Sequence, residues 1–155
     1  MTTLLFLRQT IAEGKAVWVW TTRTRLPLRL TLIGLGAIGM GGLLDAARLP
    51  ALILTVALVA TATAAATLAG PHAGRATAMT LRHPASPLAL ATGRWLAVAA
   101  LAALVTVGAA IGAAWQAELG WREGVDAAWS AAGVTLPIAA CGWFASAASW
   151  RRRAP

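Results

Sequence analysis

The chain holds several sets of residues whose types could do chemistry. Gly34-Leu35-Gly36-Ala37-Ile38-Gly39 is a literal G-x-G-x-x-G. As a dinucleotide fingerprint it needs a strand before it, a helix after it and an acid about 20 residues later to hold the ribose. Leu52 to Val59 contain no acid, and no alternation of strands and helices follows. The glycines therefore read as close packing between helices, where a missing side chain lets backbones approach. His72 and His83 stand eleven apart with no carboxylate or cysteine nearby, so they read as loop residues rather than a metal or haem pair. Glu118, Glu123 and Asp126 form an acidic stretch without a nucleophile or ligand set beside them, which predicts a solvated loop. Cys141 is the only cysteine, which excludes an intramolecular disulfide or a cysteine metal cluster. The expectation is a protein that is not an enzyme and holds no cofactor and no metal.

The composition explains why chemistry is scarce. Of 155 residues, 59% are hydrophobic and 12% charged. Soluble domains carry about 25% charged residues, so most of this chain does not face water. The net charge of +8 does not point to nucleic acid, because the basic residues sit at the ends of apolar runs. A soluble four-helix bundle is excluded on the same pattern. Three runs of about 20 positions without a charge leave no polar face for it.

Taken in order, residues 3 to 20 read as an amphipathic helix. Leu4, Leu7, Ile11 and Trp18 fall near one face, while Arg8, Gln9, Glu13 and Lys15 lie elsewhere. Such a helix lies in the headgroup plane with its apolar face down. The start lacks the basic lead and small-residue cleavage site of a signal peptide and is expected to be retained. Thr21 to Arg25 form a basic step suited to anionic headgroups. Four spans follow, at 26–44, 50–70, 95–115 and 127–150. Arg29 is close enough to an end of the first span to snorkel. Thr55, Thr61, Thr63 and Thr67 in the second suit helix packing, with a threonine-lined transport path as the alternative. Gly108 and Gly112 in the third form a G-x-x-x-G, which predicts a close helix crossing. Pro137 is expected to kink the fourth.

Between the second and third spans, 71–94 reads as a loop carrying Arg75, Arg82 and Arg94. Within it, 73–81 has the makings of a short surface helix, ended before Pro84. Basic residues set the orientation. Eleven of the thirteen fall on the side of the termini and this loop, and Arg48 and Arg122 fall on the other. Trp18, Trp20, Trp95 and Trp150 would mark the inner interface, and Trp115, Trp121 and Trp129 the outer one. The expected fold is an all-α integral membrane protein, 1–155 forming one membrane domain. It has an N-terminal interfacial helix within 1–25, four transmembrane helices, a cytoplasmic loop at 71–94 and both termini cytoplasmic. It is expected in the cell inner (plasma) membrane as a multi-pass protein.

The stretch Arg82-His83-Pro84-Ala85-Ser86-Pro87, continuing to Gly93-Arg94-Trp95-Leu96, resembles the permease subunits of type-2 ATP-binding-cassette exporters. In that family the segment between the second and third spans carries an Arg-Pro-x-Ser … Gly-Lys/Arg pattern before an apolar helix. The order of elements is similar from about residue 5 to 150. The family has six spans and a short outer re-entrant element, whereas four spans are read here, so the resemblance implies a reduced permease completed by partners. It further implies a coupling helix at about 73–81 that docks on an ATPase through Arg75, Met79 and Arg82. The expected function is thus a permease-like subunit of an ATP-driven membrane exporter, working with a separate cytoplasmic ATPase. The alternative is a non-catalytic accessory or assembly subunit of a larger respiratory or photosynthetic membrane complex. A small secondary transporter or channel is disfavoured, because no ionisable residue lies deep in a span. Either leading reading makes the partners the lipid bilayer and other protein subunits, not nucleic acid.

Overall fold

The computed structural model describes residues 3–43, 45–68 and 86–151. These residues form helices α1 (Thr3–Arg23), α2 (Leu26–Gly41), α3 (Leu49–Leu68), α4 (Pro87–Gln116) and α5 (Trp121–Arg151), with a 3-10 turn at Ala46–Arg48. No strand occurs among them. Three helical segments are long and apolar enough to cross a membrane: Leu49–Thr67, Leu88–Gln116 and Trp121–Cys141. The chain is a helical membrane protein.

Helix α4 is the axis, and each of the other four helices packs on it. Its direction against each neighbour follows from paired residues. Gly34 lies beside Val105, Ile38 against Gly112, Gly41 against Ala113 and Gly42 near Gln116, so α2 runs parallel to α4. Ala60 clusters with Leu101 and Ala102, whereas Leu49 and Ile53 cluster with Ala110 and Ala113, so α3 runs antiparallel. Gly124 meets Ala110, while Thr135 and Leu136 lie level with Ala102, so α5 is antiparallel as well.

The packing is inside out relative to a water-soluble protein. Alanines fill the centre, among them Ala57, Ala60, Ala64, Ala110, Ala113 and Ala114, while Leu28, Leu32, Leu35, Leu104 and Ile138 face outward. In a bilayer, large apolar side chains gain nothing by turning inward. Small ones let helices approach and gain dispersion contacts. Trp115 and Trp121 are exposed at the end of the bundle where α4 gives way to α5, and Trp129, about two turns further along α5, is exposed as well.

Four boundaries differ from the sequence reading. The first apolar run is helical over only Leu26–Gly41. Its 16 residues reach about 24 Å, less than the ~30 Å hydrocarbon core. The Gly41-Gly42 pair, poor in helix propensity, ends it. The expected loop 71–94 is helical from Pro87 onward, because Pro87 suits a first helical turn and Leu88-Ala89-Leu90-Ala91 favour continuing it. The expected acidic loop is helical from Trp121, with Glu123 in the first turn, where a carboxylate is favoured by the helix dipole. The N-terminal helix extends to Arg23, three residues beyond its expected end.

Within α2 the close helix contact falls on another glycine than those of the G-x-G-x-x-G. Gly36 and Gly39 have nothing within 4 Å of where a Cβ would be, and Gly34 has only an ordinary contact with Val105. All three lie mid-helix in α2 rather than at a strand-to-helix turn. The backbone contact is instead at Gly41, where a Cβ would lie 2.6 Å from Ala113 Cα.

Candidate functional site

Among the described residues, the buried charges Glu13 and Arg94 meet at one place in this apolar bundle, the seam between α1 and the first two turns of α4. Helix α1 is built to present two faces. Phe6, Gln9, Thr10, Glu13 and Gly14 recur at three- and four-residue spacing, so they share a stripe. That stripe turns toward the protein, with Thr10 and Glu13 buried. Leu4, Leu7, Ile11 and Trp18, the face read as apolar in the sequence, stay exposed. The helix therefore packs through its polar and small residues and leaves its greasy side free.

Arg94 Nε donates to Glu13 Oε1 at 2.6 Å, and the two side chains are only 7% and 9% exposed. Two charges removed from water cost several kcal/mol each, and only their mutual contact and further hydrogen bonds offset this. The pair is therefore weak as a source of net stability and strict as a geometric requirement. Removing either partner would break a buried ion pair.

The backbones must come close for this contact to form. A Cβ at Gly93 would lie 2.6 Å from the Thr10 carbonyl oxygen and 3.0 Å from Glu13 Cβ. Gly93 thus serves as the saddle for α1, and Arg94 as the latch beside it. About two turns earlier, the Ser86 backbone N–H donates to Gln9 Oε1 at 3.3 Å. Ser86 is the N-cap residue of α4 and has extended geometry, but its own side chain makes no capping bond. In a capping box a Glu or Gln three residues into the same helix satisfies the N-cap N–H. Here Gln9 does so from the neighbouring helix.

The break between α1 and α2 is equally local. The Thr21 hydroxyl donates to the Trp18 carbonyl at 2.7 Å, and the Thr24 hydroxyl to the Thr21 carbonyl at 2.9 Å. The Leu26 N–H then donates to Thr24 Oγ1 at 3.3 Å. With Pro27 in the first turn of α2, the chain restarts as a new helix after a two-residue bend. Helix α1 grips the start of α4, and α2 follows the rest of it.

The residues expected to dock an ATPase, Arg75, Met79 and Arg82, lie outside the described residues, as do His72 and His83 and the expected short helix at 73–81. The expected Gly108/Gly112 pair does not act together. Gly112 meets Ile38 of α2, with a Cβ position 2.6 Å from Ile38 Cγ1, whereas Gly108 faces outward with nothing within 4 Å. A G-x-x-x-G crossing needs both glycines on the contact face, and Gly108 lies beside exposed Leu104 and Val107 instead. Asp45, Glu118, Glu123 and Asp126 lie at the far end of the bundle. Among the described residues no group of three or more His, Cys, Asp or Glu comes together to hold a metal ion.

Compared with known proteins, the chain matches no family model, no curated sequence and no solved structure. The sequence reading placed Glu13 off the working face of α1. A signal for its true position was present. Gln9, Thr10, Glu13 and Gly14 form a helical stripe of their own, and Gly93-Arg94 offers the matching small residue and opposite charge.

Proposed function

We propose that this protein is a permease-like subunit of an ATP-driven exporter in the cell inner (plasma) membrane, powered by a separate cytoplasmic ATPase. In this reading α1 lies in the inner headgroup layer, α2 to α5 cross the bilayer and both termini are cytoplasmic. Charge supports that orientation. Of the five acidic residues, Asp45, Glu118, Glu123 and Asp126 lie at one end of the bundle. The fifth, Glu13, is neutralised by Arg94, which leaves the other end net basic. The free face of α1, with Leu4, Leu7, Ile11 and Trp18 exposed, suits an interfacial helix.

The observation that carries the reading is the Glu13–Arg94 latch. Residues 71–85 lead directly into α4, and the first turns of α4 are locked to α1. A push from a partner on that segment would move α1 and the central helix as one body, which is what transmission from an ATPase into the membrane requires. Arg75, Met79 and Arg82 are its proposed contacts.

A second reading, an accessory subunit of a larger membrane complex, draws support from a different observation. Gly36, Gly39, Gly108 and Gly133 all face outward with open space beyond them, so further helices could approach closely. One purification separates the two readings. The protein is extracted in mild detergent from its native membrane and its companions are identified by mass spectrometry. An ATPase that is lost in the Arg75→Glu/Arg82→Glu double variant is the expected outcome. Companions from a redox or pigment complex, with no ATPase, would replace the exporter reading with the second.

A further inference from the structure

Midway along α4 the helices part. A cavity of about 190 Å³ opens between α3, α4 and α5, lined by Ala57, Thr61, Ala103, Thr106, Ala132 and Thr135 among others. Most of its wall is alanine and threonine. Exposed Val107, Val125 and Trp129 form its outer rim, on the lateral surface of the bundle.

Thr61 marks the cavity chemically. Most helical threonines here spend their hydroxyl on the carbonyl one turn earlier: Thr31 on Pro27, Thr55 on Ala51, Thr67 on Thr63 and Thr135 on Ala131. Thr61 does not. Its side chain is more than nine-tenths buried, and its Oγ1 has no hydrogen-bond partner. A buried hydroxyl without a partner costs about 1–3 kcal/mol. That cost marks a place kept for a ligand.

We propose that this cavity binds a small, compact hydrophobe bearing one hydroxyl, of the size and class of an alkylphenol, admitted sideways from the lipid. Size supports this: an apolar cavity of roughly 150 Å³ accepts benzene, so about 190 Å³ accommodates a ring with a few added carbons. Chemistry supports it too. The walls give no charge to recognise, and the buried Thr61 hydroxyl needs a hydrogen bond, which a phenolic O–H satisfies as donor or acceptor. The lateral opening supports entry from the bilayer, where such molecules concentrate. The site does not depend on an ATPase partner, so it stands or falls separately from the exporter reading.

The test uses the full chain in detergent micelles, with binding of thymol and of p-cymene, the same skeleton without the hydroxyl, measured by equilibrium dialysis against empty micelles. The expected result is saturable uptake of one thymol per chain. Thr61→Val should weaken thymol about fivefold, the worth of one net hydrogen bond, and leave p-cymene unchanged. Ala132→Phe should remove both, and Ala103→Leu provides a second filling variant should the first fail to fold. Uptake that never saturates, equal uptake in a folded filling variant, or a Thr61→Val effect that is absent or equal for the two probes would each overturn the proposal.

Discussion

Helix α4 is held in two unlike ways along its length. Its first turns, Pro87 to Arg94, are gripped by α1 through an ion pair, a cross-helix amide contact and a glycine saddle. The remainder is held by α2, α3 and α5 through alanines, with Ile53, Ala110, Ala113 and Ala114 fully enclosed. The polar grip sits where the bundle meets its basic end, and the apolar one where charge is absent. Polar contacts there are directional and fail as a unit when one partner is removed. Contacts between alanines are many and individually small, so their loss is graded.

That contrast can be broken at the polar end first, where the largest effect is expected. Glu13→Ala should destabilise by about 3–5 kcal/mol, the cost of breaking a buried ion pair, read by unfolding in graded mixtures of mild and denaturing detergent. The exchange Glu13→Arg with Arg94→Glu should recover part of the loss. If the exchange is no better than the single change, the pair is not acting as a pair.

At the apolar end Ile53→Ala should cost less, about 2–3 kcal/mol, because in lipid the loss is mainly of packing rather than of hydrophobic transfer. The same detergent titration reads it, and a loss equal to that of Glu13→Ala would erase the distinction between the two grips. Gly41→Ala should cost about 1–3 kcal/mol by forcing a Cβ onto the Ala113 backbone. Gly108→Ala, which points into open space, should stabilise by about 0.5–1 kcal/mol by limiting the unfolded chain and improving helix propensity. Equal effects at these two glycines would show that the crossing at Gly41 is looser than its geometry implies.

The smallest effect sharpens the outer boundary of α4. Glu118 sits at φ +58°, in left-handed geometry. The Leu119 N–H donates to the Ala114 carbonyl at 2.8 Å and the Glu118 N–H to the Trp115 carbonyl at 3.2 Å, the paired bonds of a Schellman ending. Glycine is the residue suited to that position. Glu118→Gly should therefore raise stability by about 0.5–1 kcal/mol in the same titration.

Much of the fold was legible from apolar run length. The uncharged stretches from Pro50 and from Trp95 could hardly be anything but long helices, because no other backbone satisfies its own hydrogen bonds in a bilayer. The starts were less legible. The segment 87–94 looked like loop because Pro84, Pro87 and Arg94 interrupt the apolar pattern, yet Pro87 is acceptable in a first turn and Arg94 has a partner. Among glycines the sequence could not rank one above another. Gly34, Gly36, Gly39, Gly108 and Gly112 all fit known spacings, but contact depends on which face of a helix meets a neighbour, and the closest backbone approaches fall at Gly41, Gly93 and Gly124.

The sequence by itself determined that this is a helical membrane protein, where its long apolar helices run and how its charges divide. Those follow from composition and local pattern, which act within one helix at a time. Only the tertiary structure decided that α4 is the axis, that α1 turns its polar stripe inward and that Glu13 meets Arg94 across 81 positions. It alone decided that Thr61 borders a cavity without a partner. The reason is that lipid makes every outward apolar face equally acceptable. Helix orientation is then set by which small and polar residues fit one another between helices, a property of pairs that no single stretch of sequence contains.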